Sequence, residues 1–171
     1  MKKLEKLSVG VIPLARRTFD IHFAKQVCSE AWKLINNLSV NCLGSSELLF
    51  DAEAVEKQLL SLKDKHIDLL LIMQLTFTDA TMTVKLAQSF DVPILFWSFP
   101  EARTGGRLRL NSLCGVNLAA HALGKTGIQC DYINLSPSDP DTKEKLTSWM
   151  RVFQAYKNLS NTKIAVIGDH P

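Results

Sequence analysis

The chain has 171 residues, of which 46% are hydrophobic and 22% are charged, and its formal net charge is +3. This length suffices for one domain with a hydrophobic core, and so small a net charge does not indicate a nucleic-acid partner. No run approaches the roughly 18 apolar residues of a membrane helix, and the N-terminal apolar run is too short for a signal core. We therefore expect a cytoplasmic protein with no membrane partner and with reduced, buried cysteines at Cys28, Cys42, Cys114 and Cys130.

Short apolar runs alternate along the chain with segments whose apolar residues recur every three or four positions. The runs are typical of buried parallel strands, and they lie at 7–14, 38–44, 66–75, 92–99, 128–135 and 163–168. The segments between them are typical of helices that cover a sheet. This alternation predicts an α/β fold with three layers: a flavodoxin-like or Rossmann-like parallel sheet, in the order 2-1-3-4-5, with helices on both faces.

The predicted domain comprises residues 1–160. The remaining residues, 161–171, contain "KIAVIG" and are predicted to begin a strand and a loop. Because a strand of a parallel sheet normally continues into a crossover connection, we expect this segment to lead into a further domain of a longer protein.

Ligands of open α/β sheets bind at the carboxyl ends of the strands, close to the point where the strand order reverses. The predicted order places three loops there: "ARRTFD" (15–20), "TFTDATM" (76–82) and "PEARTGGRLRLNS" (100–112). We expect these three loops to share one rim of the sheet. Each contains at least one side chain that is suited to a ligand and that also has a purely structural interpretation.

In the first loop, Arg16 either binds a ligand oxygen or is simply solvated. In the second case, Thr18 or Asp20 caps the next helix. In the second loop, Phe77 is either a ligand wall or a hydrophobic staple, and Thr76 or Thr78 is expected to cap the helix that follows. The third loop is the most basic, with Arg103, Arg107 and Arg109 around two glycines. It contacts either a ligand or a neighbouring subunit, and Asn111 or Ser112 is expected to cap the helix that follows.

Catalytic motifs are absent from the sequence. Neither GxGxxG nor GxxxxGK[ST] occurs, and no HExxH, nucleophile elbow or paired metal-ligand spacing is found. Glu101 is the best-placed carboxylate but has no evident partner, and His121 is the one histidine expected near the rim. The residues alone therefore indicate half of a binding site, without catalytic or metal-binding residues of its own.

The segments "PLARRTFD", "ELLFD", "QLTFTDATM", "PEARTGGRLRLNSLCGVNLAAHAL" and "IGDHP" occur in order along nearly the whole chain. Together they resemble the N-terminal region of L-fucose isomerase-like and L-arabinose isomerase-like sugar isomerases, and most closely the L-fucose isomerase-like branch. The resemblance implies a metal-dependent aldose–ketose isomerase, in which a divalent metal, usually manganese, holds two sugar oxygens and acidic residues move a proton between C1 and C2. It further implies that the metal ligands lie in later domains, so that this region binds no metal and is inactive by itself.

The resemblance also implies which residues face the sugar and that the N-terminal region helps to build a homo-oligomer. The family's first-loop arginine falls on Arg16, its second-loop aromatic residue on Phe77 and its helical histidine on His121. Arg109 and Asn111 lie in the shared basic loop, as substrate or subunit contacts. Relatives often have proline at the position of Arg17, whose role is left open, and a tryptophan at that of Phe77.

Two other functions fit the same fold. The rim arginines also suit a non-catalytic regulatory module that binds a sugar or an anion. A receiver-like or flavin-binding domain fits less well, because receiver chemistry requires clustered acids where this chain has "LARR" and "QLTF".

Overall fold

The computed structural model describes residues 5–165, 167 and 168. Five parallel strands form one sheet, and they are β1 (Ser8–Leu14), β2 (Asn41–Gly44), β3 (Leu69–Gln74), β4 (Ile94–Ser98) and β5 (Asp131–Asn134). Five helices connect or follow them, and they are α1 (Ile21–Asn36), α2 (Ala52–Leu62), α3 (Thr81–Ser89), α4 (Ser112–Lys125) and α5 (Thr142–Ser160). The strand order is β2-β1-β3-β4-β5, which confirms the predicted fold and order.

Alternate residues of the three central strands face opposite sides of the sheet and build two separate cores. Met73 and Trp97 belong to the core beneath α1 and α5. Ile72 and Phe96 belong to the core beneath α2, α3 and α4. Every residue of β1, β3 and β4 is buried, because helices cover both faces, and this explains why these strands are nearly continuous apolar runs.

The sixth predicted strand, 163–168, is not found in the part of this range that the structure describes. Residues 163–165 and 167–168 are irregular, and Ile164 and Ile167 are exposed. Among the described residues no strand pairs with their backbone, and without such a ladder an apolar run does not form a strand. Residues 166 and 169–171 lie outside the described residues, and the expected further domain stays a prediction.

Among the helices of the described residues, none combines the length and the hydropathy that crossing a membrane requires.

Candidate functional site

Three loops meet at the carboxyl end of the sheet, as the strand order predicts. The amide of Arg16 donates to the Thr76 hydroxyl oxygen at 2.7 Å, so the loop after β1 is attached to the loop after β3. The amide of Phe77 donates to the Leu110 carbonyl at 2.8 Å, and the amide of Asp20 donates to the Arg109 carbonyl at 3.1 Å. These bonds attach the loop after β4 to both others. We call residues 15–20, 75–80 and 99–111 the rim.

A buried polar cluster of Gln74, Thr76, Thr78 and Ser112 lies beneath the rim, and its four residues are at most 3% exposed. Gln74 Nε2 donates to the Thr76 carbonyl at 2.7 Å and to the Thr78 hydroxyl at 2.9 Å. The Ser112 hydroxyl donates to the Gln74 carbonyl and accepts the amide of Phe99 at 2.9 Å. Gln74 Oε1 has no hydrogen-bond partner in the described structure, but the bonds of the other polar atoms join the cluster to the start of each loop, and breaking them would leave further buried groups unpaired.

Glu101 holds the basic loop closed. Its carboxylate accepts the amides of Arg109, Leu110 and Asn111, at 3.1 Å for Leu110 and 2.6 Å for Asn111. Asn111 has φ 52°, a left-handed conformation that asparagine tolerates better than most residues. The sequence suggested no partner for Glu101, because its partners are backbone amides 8 to 10 residues away, which no side-chain pattern indicates.

Three of the five rim arginines make contacts within the protein. The Arg109 guanidinium lies 2.9 Å from Asp20 Oδ2 and 3.9 Å from the centroid of the Phe23 ring. Arg107 donates to the Thr18 carbonyl at 3.1 Å and lies over the Phe19 ring. The third, Arg17, lies over the Phe50 ring at 4.2 Å. These arginines brace the rim, although they are exposed.

The carboxylate of Asp20 links the first and third loops. The hydrogen bond from the Phe23 amide, followed by that from Arg109, holds the pKa of Asp20 below its usual value. The Phe23 bond, at 3.0 Å, makes Asp20 the N-cap of α1, one of the two caps that the sequence predicted there.

The other two rim arginines, Arg16 and Arg103, have guanidinium groups that form no ion pair or hydrogen bond within the described part of the chain. Both side chains are exposed, while the Arg16 backbone is anchored by Thr76. The side-chain hydrogen bond of Thr81 lowers the pKa of Asp79, which burial opposes, and the nearby positive charge of Arg16 lowers it further. Arg16 is therefore the anchored rim cation whose hydrogen-bond donors are available to a ligand.

The structure brings four of the five predicted site residues to the rim. Phe77 is half-buried, with its ring 6.3 Å from that of Phe19, so the two form an apolar wall. Asn111 and Arg103 line a depression of about 330 Å³ at the start of α4. His121 is exposed and lies nine residues into α4, about 14 Å along the helix from the rim. The fold therefore separates His121 from the other four.

The predicted caps of two helices differ from those observed. At α4 the Asn111 side chain makes no capping bond, and the Ser112 hydroxyl turns to Gln74 instead. At α3 the N-cap position is Ala80, while the hydroxyls of Thr76 and Thr78 belong to the buried polar cluster. In both places a hydroxyl near a helix start finds a partner on another element.

Groups suited to a metal ion are not found in the described residues, where no three His, Cys, Asp or Glu side chains lie close enough to hold one. The carboxylates at the rim are engaged by backbone amides or by Arg109. The residues at the rim therefore do not fit a divalent metal.

Comparison with known proteins identifies relatives along almost the whole chain. The family model described as "Fucose/sulfoquinovose isomerase, N-terminal domain" matches residues 10–160. Sulfoquinovose isomerases of Priestia aryabhattai and Priestia megaterium are each 29% identical over 168 residues, which is 98% of this chain and 38% of each relative. The sulfoquinovose isomerase of Alkalicoccus urumqiensis is 29% identical over 165 residues, which is 96% of this chain and 37% of that relative. The chain thus spans a little over a third of the length of the curated relatives it matches.

Proposed function

Because the chain belongs to the fucose/sulfoquinovose isomerase N-terminal domain family, we propose that it is the substrate-wall and oligomerisation domain of an aldose–ketose isomerase. In this proposal the rim binds and orients the sugar. As the family resemblance implies, we propose that the divalent metal, which would be manganese, and the groups that move the proton lie on protein outside this chain.

The observation that carries the proposal is the available guanidinium of Arg16 at the rim. An arginine with free donors forms paired, charge-assisted hydrogen bonds with a tetrahedral oxyanion. The named relatives are sulfoquinovose isomerases, and a sulfonate is such an oxyanion. We propose sulfoquinovose as the substrate and Arg16 as the residue that binds its sulfonate.

The other predicted site residues have separate parts in this proposal. Phe77, together with Phe19, provides the apolar side of the sugar site. Asn111 offers a side-chain amide beside the depression at the start of α4. Arg109 contacts Asp20 and Phe23, so we propose that it orients the basic loop, and a direct substrate contact of Arg109 stays a prediction. His121 also stays a prediction, because it lies away from the rim.

The test uses the complete protein and the variant Arg16→Ala. Losing hydrogen bonds to a charged group costs about 1.5–3 kcal/mol, so kcat/KM for sulfoquinovose should fall about tenfold to hundredfold. With a neutral aldose that lacks the sulfonate, the change should be at most about threefold. Arg151→Ala is the matched control, because Arg151 is an exposed arginine in the middle of α5.

Each part of the proposal has an outcome that contradicts it. Equal losses with both substrates would show that Arg16 does not bind the sulfonate. A complete protein that interconverts no aldose and ketose would contradict the isomerase, and light scattering that finds an active monomer would contradict the oligomerisation role.

The second candidate function is a non-catalytic sugar- or anion-binding regulatory module, which the same available arginine favours. Calorimetry with sulfoquinovose distinguishes the two functions. Binding without turnover, in a complete protein whose further sequence has no set of carboxylate and histidine metal ligands, would establish the module.

A further inference from the structure

Thr76 is the one residue of the buried polar cluster that bonds directly to the loop of Arg16. It is fully buried, and its hydroxyl oxygen accepts the Arg16 amide at 2.7 Å across a sequence separation of 60 residues. The same hydroxyl donates to the Phe77 carbonyl at 3.2 Å. Both polar functions of this hydroxyl are therefore used, one on the loop of Arg16 and one on the loop of Phe77.

The carbonyl of Thr76 is fixed as well. It accepts Gln74 Nε2 at 2.7 Å, and Gln74 is itself fully buried and bonded to Thr78. Thr76 thus has little freedom to turn its hydroxyl away from Arg16. The Thr76 hydroxyl and the Phe19 amide, which donates to the Arg16 carbonyl at 3.1 Å, hold the Arg16 backbone, while the Arg16 guanidinium forms no ion pair within the described residues.

We propose that Thr76 is a positioning residue, which holds Arg16 where it meets the anionic group of the substrate without touching the substrate itself. This inference rests on the proposed function of Arg16. Valine has nearly the shape of threonine but cannot accept the Arg16 amide, so that amide would turn to water and Arg16 would lose its direct bond to the loop after β3. A displacement of Arg16 by about 1 Å would weaken its contact with the substrate considerably.

The test measures kcat and KM of the complete protein with sulfoquinovose and with a neutral aldose. Thr76→Val should raise KM for sulfoquinovose about tenfold, while both constants for the neutral aldose change less than about threefold. Thr76→Ser, which restores the hydroxyl, should return KM to within about twofold of the wild type. Thr83→Val is the matched control, because Thr83 is also fully buried but its hydroxyl has no hydrogen-bond partner in the described structure.

A double variant separates positioning from a general structural role. If Thr76 acts through Arg16, then Thr76→Val should have no further effect on sulfoquinovose kinetics in the Arg16→Ala background. Additive effects, or equal losses with both substrates, would overturn the inference. Should Thr76→Val not fold, Thr76→Ala removes the same hydroxyl without adding a methyl group, and the same outcomes apply. An Arg16→Ala variant that discriminates between the two sugars as the wild type does would overturn the proposed sulfonate contact of Arg16, whatever the result for Thr76→Val.

Discussion

Replacing Gly115 with alanine tests whether Gln74 is held rigidly beneath the rim. Gly115 lies in α4 where this helix passes the Gln74 side chain. A Cβ atom at Gly115 would lie 3.0 Å from both Gln74 Cγ and Gln74 Nε2, which is closer than packed atoms normally approach. Gln74 Nε2 already donates to Thr76 and Thr78, so the amide cannot move aside without breaking these bonds.

Two opposing contributions determine the free energy of unfolding of Gly115→Ala. Alanine in place of glycine inside a helix adds roughly 0.5–1 kcal/mol. Crowding a well-packed side chain costs about 1–3 kcal/mol. The second contribution is larger, so we expect a net loss of about 1 kcal/mol, and up to about 2 kcal/mol if both Gln74 bonds are lost.

Gly124 is the matched control, because it lies in the same helix but a Cβ atom there would have no neighbour within 4 Å. Gly124→Ala should therefore stabilise the protein by roughly 0.5 kcal/mol, the lower end of the helix contribution, because Gly124 is close to the end of α4. The difference between the unfolding free energies of the two variants largely cancels the shared helix contribution and leaves about 1–3 kcal/mol from crowding alone.

The assay is thermal unfolding of the 171-residue chain, in which each kcal/mol shifts Tm by about 2–4 °C. Tm of Gly115→Ala should lie below that of the wild type and that of Gly124→Ala above it. If both variants gain stability equally, then Gln74 moves freely and the buried polar cluster does not hold the loops as described.

Two further predictions concern parts of the fold away from the rim. Lys157 pairs with Asp68 at 2.8 Å where both side chains are largely buried, at 12% and 6% exposure. Lys157→Met should cost about 3 kcal/mol at pH 7 in urea unfolding, because it leaves a buried carboxylate without its cation. Burial raises the pKa of Asp68, but hydrogen bonds, led by that from Lys157, hold it below its usual 3.8. The difference in unfolding free energy between the wild type and Lys157→Met should therefore shrink as the pH falls through that range. A difference that does not depend on pH would contradict the pairing. Burial also raises the pKa of Cys28 to about 12 and that of Cys42 to about 11. The prediction that Cys114 is buried is wrong, because its side chain is exposed on α4. Iodoacetamide at pH 8 should therefore label Cys114 well before Cys28 and Cys42, and mass spectrometry that finds Cys28 labelled as fast as Cys114 would contradict the burial of Cys28.

The fold could be predicted because the central strands are buried on both faces and therefore stand out as apolar runs. The starts of the strands were predicted less exactly, since β2, β3 and β5 each begin three residues later than the apolar runs 38–44, 66–75 and 128–135 that predicted them. Leu38 and Ile128 pack against the two cores without belonging to a strand. An apolar run indicates burial, and burial alone does not distinguish a strand from the loop that leads into it.

The meeting of the three loops could also be predicted, because strand order and the carboxyl-end rule are sufficient for it. The hydrogen-bond partners of individual side chains could not be predicted from the sequence. Sequence spacing predicted a capping role for Ser112, but its hydroxyl reaches the carbonyl of Gln74, 38 residues earlier in the chain. A side chain near a helix start has several acceptors within reach, and only the packed structure decides among them.

The partners of Glu101 determine which arginines of the rim keep their hydrogen-bond donors available to a ligand. The loop 100–112 contains one carboxylate and three arginines, and a pairing of that carboxylate with an arginine would have occupied the donors of that arginine. Glu101 instead accepts three backbone amides, and Asp20 pairs with Arg109. Contact with an aromatic ring leaves the charge of Arg107 unchanged. Arg16, Arg17, Arg103 and Arg107 form no ion pair with a carboxylate in the described structure, although the charge of Arg16 acts on nearby Asp79. A surface arranged in this way would attract an anionic ligand more strongly than a neutral one of the same shape.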